Sequence, residues 1–400
     1  MKALFAGLSL IALAACSDNT ETATNHAETA VKLAQETIII DTHIDVPYRL
    51  NRAWEDVSIA TEAGDFDHPR AITGGLNAPF MSIYTPAAMD GTDEAKTHAD
   101  AMIDIVERIV ASAPEKFVIA RNPGEVETAF AAGKIAFPLG MENGSPISGD
   151  LANLDYFFER GIRYITLTHS KSNEISDSSY DPERQWDGLS EFGEKVITRM
   201  NELGIMVDIS HVSDAAFWDV MEKSATPVIA SHSSARHFTP GFERNMNDDM
   251  IKALGQNGSL IMINYGSAFV TEEANKYRPT RDEAYEAYLA ETSQEDNEEL
   301  KEKFDEEYLA DNPYPYASLS DVLDHFDHVV KIAGIDHVGI GSDYDGVGDS
   351  LPKGLKDVAS YPALIEGFLE RGYSEADIKK ILSGNLLRVW RTIDAYAAVN

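Results

Sequence analysis

Cysteine is almost absent from this chain of 400 residues, because Cys16 is the only one. A single cysteine excludes an intramolecular disulfide, so the fold must be stabilised by its packed core. Positive charge is also scarce: 33 lysines and arginines stand against 67 aspartates and glutamates, and the net charge is −34. A chain this acidic repels phosphate backbones, which argues against nucleic acid as a partner.

An apolar run from Ala3 to Ala15 follows Lys2 at the N-terminus. The run is too short to cross a bilayer as a helix, and its positive start and small terminal residues are typical of a secretory signal. Its end, Leu13-Ala14-Ala15-Cys16, resembles the bacterial lipobox, in which the cysteine is lipidated. We therefore predict a lipoprotein signal peptide over residues 1–16.

The lipid on Cys16 is then the only predicted contact with a membrane, and the protein is expected to face the bacterial periplasm. Ser17 after the cysteine resembles lipoproteins sorted to the outer membrane. Residues 17–30 are polar and predict a flexible tether. Residues 31–400 remain for the folded domain.

Short apolar runs alternate with longer amphipathic stretches throughout this domain, a pattern typical of βαβ units. The predicted strands are Thr37–Asp41, Phe80–Tyr84, Ile135–Gly140, Tyr164–Thr168, Met206–Ile209, Val228–Ala230, Ser259–Asn264 and His337–Gly341. The predicted helices between them include Ala95–Ser112, Gly193–Leu203, Asp214–Lys223 and Asn247–Gly255. Eight such units are accommodated most simply by one α/β domain, a closed (β/α)₈ TIM barrel.

Ionisable residues stand directly after six of the eight predicted strands. They are His43, Asp45, Glu142, His169, His211, His232 and Asp343. The C-terminal ends of barrel strands form one rim, and active sites lie there. The pattern therefore predicts a single site built from residues that are far apart in sequence.

The residue types at this rim suit a metal ion. His43 and Asp45 alternate along an extended segment, so their side chains point the same way. His211 and His232 each follow an apolar strand in a Ser-His ending, and Glu142 has two oxygens that can bridge two cations. Imidazole and carboxylate together favour Zn²⁺, although Mn²⁺, Fe²⁺ and Co²⁺ accept the same ligands.

Several segments of the chain resemble the membrane dipeptidase (renal dipeptidase) family of zinc peptidases, within the amidohydrolase superfamily. They occur in the family's order between about residues 36 and 392. The segments are Asp41-Thr42-His43-Ile44-Asp45, Tyr164-Ile165-Thr166-Leu167-Thr168-His169, Asp208-Ile209-Ser210-His211-Val212-Ser213, Ser231-His232-Ser233-Ser234-Ala235, Arg244-Asn245-Met246-Asn247-Asp248-Asp249, Gly341-Ser342-Asp343-Tyr344-Asp345-Gly346-Val347 and Gly384-Asn385-Leu386-Leu387-Arg388-Val389.

The resemblance implies a binuclear zinc centre with two Zn²⁺ per chain. His43, Asp45 and Glu142 are expected to hold one zinc ion. Glu142, His211 and His232 are expected to hold the other, so that Glu142 and a hydroxide bridge the pair.

The resemblance also implies roles for three further residues. Asp343 is expected to accept the proton of the attacking water and give it to the leaving amine. His169 is expected to bind the substrate and steady the oxyanion, and Arg244 to bind the substrate's C-terminal carboxylate. The expected activity is hydrolysis of dipeptides with broad specificity, including L,D-dipeptides, and the expected assembly is a homodimer.

Two departures from the family pattern stand out. Vertebrate members have Glu-Gly-Gly at the bridging carboxylate, where this chain has Glu142-Asn143-Gly144. Residues 271–310, after the seventh predicted strand, carry 14 acidic and five basic residues. They predict an inserted helical pair, around Thr280–Ala290 and Glu298–Ala310, that serves as a solubilising surface, a lid or a dimer element.

Two other functions remain open from the sequence. A deacylase acting on N-acyl-amino acids would use the same barrel and metals without needing Arg244. A lipid-anchored solute-binding protein would retain the metal site without catalysis, although the presence of both His169 and Asp343 argues against it.

Overall fold

The computed structural model describes residues 15–292 and 294–400, with side chains from residue 25 onward. The predicted signal peptide lies outside this part of the chain except for its last two residues, and the side chain of Cys16 lies outside it as well. Within the described helices, none is both long enough and apolar enough to cross a membrane.

The strands of the described chain form a closed barrel and one small separate sheet. They are β1 (Ile39–Ile44), β2 (Leu76–Tyr84), β3 (Phe117–Ile119), β4 (Ile135–Phe137), β5 (Leu139–Glu142), β6 (Ile162–Thr166), β7 (Met206–Asp208), β8 (Ile229–Ala230), β9 (Leu260–Ile263) and β10 (Val338–Ile340). The barrel order is β1-β2-β5-β6-β7-β8-β9-β10, with β10 returning to β1, and each pair is parallel. The predicted eight-stranded α/β barrel is therefore confirmed.

Helices surround the barrel and fill the connections between its strands. They are α1 (Ala15–Glu36), α2 (Val46–Arg52), α3 (His68–Gly74), α4 (Glu94–Ser112), α5 (Pro123–Ala131), α6 (Ala152–Arg160), α7 (Glu191–Leu203), α8 (Asp214–Lys223), α9 (Asp248–Asn257), α10 (Ser267–Val270), α11 (Glu272–Thr292), α12 (Glu298–Asp311), α13 (Leu319–Ala333), α14 (Tyr361–Glu370), α15 (Glu375–Lys379) and α16 (Asn385–Ala397). A π-helical turn, Lys380–Gly384, joins the last two.

Local sequence sets where the helices next to the rim begin and end. The Ser190 hydroxyl accepts a hydrogen bond from the Gly193 amide at the start of α7, and Asn247 does the same for the Met250 amide at the start of α9. Both helices end at a glycine with positive φ, Gly204 and Gly258. Such caps satisfy backbone groups that a helix end leaves unpaired. Ser190 and Asn247 thus fix where two rim loops end, while the two glycines begin the loops at the opposite end of the barrel.

The third predicted strand, Ile135–Gly140, is wrong as a single strand. Pro138 has no backbone N–H and separates it into β4 and β5. Only β5 joins the barrel, where Met81 on β2 lies opposite Leu139. Strand β4 pairs instead with β3, with Phe117 opposite Ile135, and we did not predict β3.

The stretch predicted to be a flexible tether, residues 17–30, lies within helix α1 in the structure. Alanines recur along this stretch, and alanine is the residue with the highest helix propensity. The helix packs against α14, and among its described side chains, from residue 25 onward, Ala30, Leu33 and Ala34 are buried.

Two apolar clusters make up the core. The larger lies between the barrel and its helices, and includes Met81, Ile165 and Ile261. The smaller is formed by the alternate strand positions, such as Phe80 and Tyr164, together with residues of α16. The ring of Trp390 on α16 lies 5.4 Å from that of Phe80, so the barrel interior is filled with side chains below the rim.

The predicted acidic insertion after the seventh barrel strand is present as α11 and α12. Helix α12 has no buried residue, and α11 buries only Ala274 and Tyr285. Aromatic contacts hold the pair together: the ring of Tyr285 lies 5.1 Å from Phe304. This arrangement agrees with the predicted solvated helical pair.

Candidate metal centre and substrate site

The strand ends bring the seven predicted rim residues together. His43 lies in β1 and Asp45 directly after it, while Glu142 ends β5. The other four follow β6, β7, β8 and β10 respectively: His169, His211, His232 and Asp343. Six of the seven are buried, and His169 is half-buried, so the cluster meets solvent on the His169 side.

Glu142 lies at the centre of this cluster, and its two carboxylate oxygens face different partners. Oε1 lies 3.2 Å from Nε2 of His211, and 3.4 Å from Nε2 of both His232 and His169. Oε2 lies 3.5 Å from Nε2 of His43, which in turn is 3.4 Å from Oδ2 of Asp45. The two oxygens thus divide the cluster into a His43–Asp45 side and a His211–His232 side.

The imidazole nitrogens are poorly satisfied by the protein alone. Nε2 of His211 and Nε2 of His232 lie 2.9 Å apart, and burial lowers the pKa of both histidines well below its usual value. Two neutral imidazoles facing each other can share only one proton between their nitrogens. Nε2 of His43 is buried without a hydrogen-bond partner in the described chain.

Donor atoms from these residues are close enough to hold cations. One atom from each of His43, Glu142 and His232 lies within 4.8 Å of the other two. The same holds for Glu142, His169 and His211, and for His43, Asp45 and Asp343. Orphaned buried nitrogens beside carboxylates are the donor set that zinc prefers, so the residues present fit this metal.

The electrostatics of the carboxylates differ within the site. Burial raises the pKa of Glu142, but the surrounding histidines, His43 first, outweigh burial and hold this pKa well below its usual value. For Asp343, burial is the largest effect, and the charges of Asp45 and Glu142 add to it, so the pKa rises to about 7 despite His43. Glu142 is therefore a permanent anion, whereas Asp343 can gain and lose a proton near neutrality.

Residues behind the rim fix the orientation of the histidines. The hydroxyl of Tyr164 lies 2.8 Å from Nδ1 of His43. The hydroxyl of Ser231 lies 2.8 Å from Nδ1 of His232 and donates to Asp208, at 2.6 Å. From the sequence, Asp208 is a candidate partner either for a histidine of the site or for backbone groups. It contacts His232 only through Ser231, and it also accepts the amides of Ser210 and Ser231.

The backbone is unusual at three site positions. His211, Asp343 and Asn143 have φ of 71°, 66° and 77°, a region that residues other than glycine rarely occupy. The amide of Asp343 donates to the carbonyl of His43 at 3.1 Å, which holds the turn in place. Rare backbone conformations maintained by their surroundings cluster at functional sites.

Asn143, which replaces a glycine of the vertebrate pattern, locks the loop after Glu142. Its side-chain amide donates to the carbonyl of Thr85 and to Asp90, both at 3.0 Å. Its side-chain oxygen accepts from the amide group of Asn173 at 3.0 Å. The substitution therefore ties three rim loops together and leaves the Glu142 carboxylate in place.

Arg244 lies buried in the loop between β8 and α9. Its guanidinium donates to the hydroxyl of Ser233 at 2.6 Å and to the carbonyl of His232 at 2.7 Å, and its Nε has no partner in the described chain. The adjacent Glu243 accepts from Arg184 at 2.5 Å and from the amide of Asp214 at 2.9 Å. The guanidinium of Arg244 is thus held beside His232, and its Nε–H is left as a donor without a partner in the described chain.

Sequence reasoning missed several residues of this site. Asn264 donates to Oδ2 of Asp343 at 2.7 Å, and the ring of Tyr180 lies 5.9 Å from that of His211. Two aromatic residues near strand ends, Tyr48 and Tyr265, are candidates from the sequence for the wall of the pocket. Tyr48 lies at the rim, since its ring is 4.9 Å from Tyr84, which contacts His169. Tyr265 is instead fully buried. A polar or aromatic residue at a strand end is the only sequence signal that these residues give.

Comparison with known families gives one match over nearly the whole described chain. The family model for membrane dipeptidases (peptidase family M19) matches residues 27–400. Dipeptidase 3 of Mus musculus is 31% identical over 376 residues, in a match that covers 92% of this chain and 66% of the mouse protein. The chain therefore spans slightly less than two thirds of the length of that relative.

Solved structures share the barrel. The probable dipeptidase PvdM from Pseudomonas aeruginosa is 28% identical with a TM-score of 0.81, over 94% of this chain and 100% of that one. A metallopeptidase from Rhodobacter sphaeroides, liganded with a phosphinate mimic of the dipeptide L-Ala-D-Ala, is 25% identical with a TM-score of 0.74. That match covers 90% of this chain and 100% of the other.

Proposed function

Because the chain belongs to the membrane dipeptidase family, peptidase family M19, we propose that it is a zinc-dependent dipeptidase. The membership confirms the family that the sequence motifs predict. The observation that carries the proposal is the Glu142 carboxylate, whose two oxygens face different histidines at 3.2–3.5 Å. A carboxylate in this position is suited to be shared by two cations.

We propose two Zn²⁺ per chain at this centre. His43, Asp45 and Glu142 would hold one, and Glu142, His211 and His232 the other. The two oxygens of Glu142, which face His43 on one side and His211 and His232 on the other, support this assignment, as does the buried and unpartnered Nε2 of His43. Bound zinc supplies a water of lowered pKa and polarises the scissile carbonyl.

Asp343 is placed to move the proton that hydrolysis requires. Its carboxyl belongs to the same cluster as His43 and Asp45, so it lies beside the place where a metal-bound water would stand. Asn264 holds one of its oxygens, so the other remains free for this task. We propose that Asp343 accepts the proton of the attacking water and donates it to the leaving amine.

His169 and Arg244 account for substrate binding in this proposal. His169 is the half-buried member of the cluster, and burial lowers its pKa, so its neutral ring can donate one N–H to a developing oxyanion. The guanidinium of Arg244 would bind the C-terminal carboxylate of the substrate. A clamp at a fixed distance from the reacting centre explains a preference for dipeptides over longer chains.

We further propose that the accepted substrates include dipeptides with a D-residue at the C-terminal position. Support comes from the Rhodobacter sphaeroides relative, which was crystallised with a mimic of L-Ala-D-Ala. An arginine that binds the carboxylate makes few demands on the side chain next to it. Both configurations at the second residue are therefore expected to be hydrolysed.

A panel of small substrates tests the proposed function. Zinc-loaded protein is incubated with L-Ala-L-Ala, L-Ala-D-Ala, L-Ala-L-Ala-L-Ala and N-acetyl-L-alanine, and free alanine is measured. The proposal predicts rapid cleavage of the dipeptides and little cleavage of the tripeptide or the acetylated amino acid. Preferred cleavage of N-acetyl-L-alanine would assign a deacylase instead, and binding without any cleavage would assign a solute-binding protein.

We also propose that Cys16 carries the lipid that anchors the protein to the membrane on its periplasmic side. The segment Leu13-Ala14-Ala15-Cys16, which resembles the lipobox, supports this. Labelling of expressing cells with a palmitate analogue should mark the wild-type protein and leave Cys16→Ser unmarked. Equal labelling of the wild type and the variant would contradict lipidation at Cys16.

A further inference from the structure

A second group of metal-capable side chains lies outside the barrel rim. His237 stands in a 3₁₀ turn, Arg236–Phe238, in the loop between β8 and α9. Asp248 is the first residue of α9, and His328 lies on α13. Three separate elements therefore each bring one such side chain to the same place on the surface.

The geometry of the group is compact. Nε2 of His328 lies 2.8 Å from Oδ1 of Asp248, and the rings of His237 and His328 are stacked at 4.5 Å with an interplanar angle of 19°. One donor atom from each of the three side chains lies within 4.8 Å of the others. His237 and Asp248 are exposed, so a ligand can reach the group from solvent.

Neighbouring charged side chains are engaged elsewhere. Arg236, next to His237, pairs with Asp214, and Arg371 pairs with Asp324 and Asp327 on α13. In the described chain, no lysine or arginine forms an ion pair with Asp248. The carboxylate of Asp248 is therefore available to a cation at the two imidazoles.

We propose that His237, Asp248 and His328 bind a divalent transition-metal ion, with Zn²⁺ as the preferred metal. Two imidazole nitrogens and one carboxylate oxygen form a donor set that zinc accepts, and water would complete the tetrahedron. Tetrahedral ligands at zinc distances are about 3.3 Å apart, so the exposed side chains of His237 and Asp248 need only small rotations. The net charge of −34 raises the local concentration of cations.

Binding at this site would tie the loop that carries Arg244 to α13. The same loop is already held by one hydrogen bond, from the amide of Ala235 to Nδ1 of His325, at 3.0 Å. A metal ion spanning His237 and His328 adds a second link between these two elements. Metal that binds only the folded state raises its stability, so zinc should raise the unfolding temperature through this site.

Zinc counting tests the proposal. Protein without a polyhistidine tag is loaded with zinc, freed of excess metal and analysed for zinc per chain. The wild type should hold one more zinc ion than the double variant His237→Ala/His328→Ala, and His26→Ala, a histidine outside the group, should match the wild type. His211→Ala, at the barrel rim, should keep the additional ion. Equal zinc content in the wild type and the double variant would overturn the proposal.

A milder variant covers the case in which the double variant fails to fold. Asp248→Asn keeps a hydrogen-bonding oxygen next to His328 and removes the charge. It should weaken the additional site at least tenfold in competition with a chromogenic chelator, and reduce the rise in unfolding temperature on zinc addition. Unchanged zinc affinity in this variant would equally overturn the assignment.

Discussion

The hydroxyl of Tyr164 lies 2.8 Å from Nδ1 of His43, and both side chains are fully buried. Tyr164 belongs to the barrel interior, whereas His43 stands at the rim. This hydrogen bond turns Nε2 of His43 toward Asp45 and Glu142. A partner of this kind fixes the orientation of a metal-binding histidine and raises its basicity.

Replacing Tyr164 with phenylalanine should therefore weaken zinc binding at the rim by about 10- to 100-fold. Zinc affinity should fall because the imidazole of His43 loses the hydrogen bond that orients it. Competition with a chelator measures this affinity. Tyr265→Phe is the matched control, because the hydroxyl of Tyr265 is buried and has no hydrogen-bond partner in the described chain. Equal zinc affinity in both variants would contradict the orienting role of Tyr164.

Asp343→Asn should lower kcat for dipeptides by about 100- to 10,000-fold, the range that a positioned acid or base contributes. The amide keeps the size of the side chain and one oxygen for Asn264, but it cannot carry the proton. Zinc content should stay at the wild-type value, which separates proton transfer from metal binding. A variant with wild-type kcat would refute the proton-transfer role.

Arg244→Lys should raise KM for dipeptides by about 10- to 100-fold, because a charge-assisted hydrogen bond to the substrate carboxylate contributes roughly 1.5–3 kcal/mol. Dipeptide amides lack that carboxylate and provide the control. The wild type and the variant should differ little in kcat/KM on the amide. An equal loss on both substrates would show that Arg244 acts only through the structure of its loop.

His325 predicts a pH dependence of stability. It is fully buried, and burial lowers its pKa to about 4. In the unfolded chain the group titrates near its ordinary value of about 6.5. Below about pH 6.5, His325 binds a proton in the unfolded chain but stays neutral in the folded protein. The contribution of neutral His325 to the free energy of unfolding, present above about pH 6.5, is therefore lost as the pH falls toward about 4.

Urea unfolding of metal-free protein measures this effect against His325→Asn, whose side-chain oxygen can still accept from the Ala235 amide. Between pH 7.5 and pH 5 the wild type should lose about 2 kcal/mol more of its free energy of unfolding than the variant does. Parallel pH profiles would show that His325 is protonated in the folded protein.

Sequence periodicity predicts the barrel and the candidate metal ligands for the same reason. Each candidate ligand lies at the end of an apolar strand or just after it, so the pattern that predicts the strand also places the residue at the rim, as at His211 and His232. Where a strand is defined by pairing rather than by its own composition, prediction is poorer. Strand β3 has three residues and is stabilised mainly by β4, so it leaves little trace in the sequence.

The orienting residues lay beyond sequence analysis for a different reason. Tyr164 is 121 positions from His43, and it looks like any other aromatic residue of a buried strand. Asn264 is 79 positions from Asp343, and nothing in the sequence pairs the two. Their roles depend on the closed barrel, which sets strand ends side by side.

The most direct test of the central claim is the turnover of L-Ala-D-Ala before and after removal of zinc. The proposed function predicts that a chelator abolishes cleavage, that added Zn²⁺ restores it, and that Glu142→Gln stays inactive at the same zinc concentrations. Cleavage that persists in protein verified to be free of metal, or full activity of Glu142→Gln, would contradict a metal-dependent dipeptidase centred on Glu142.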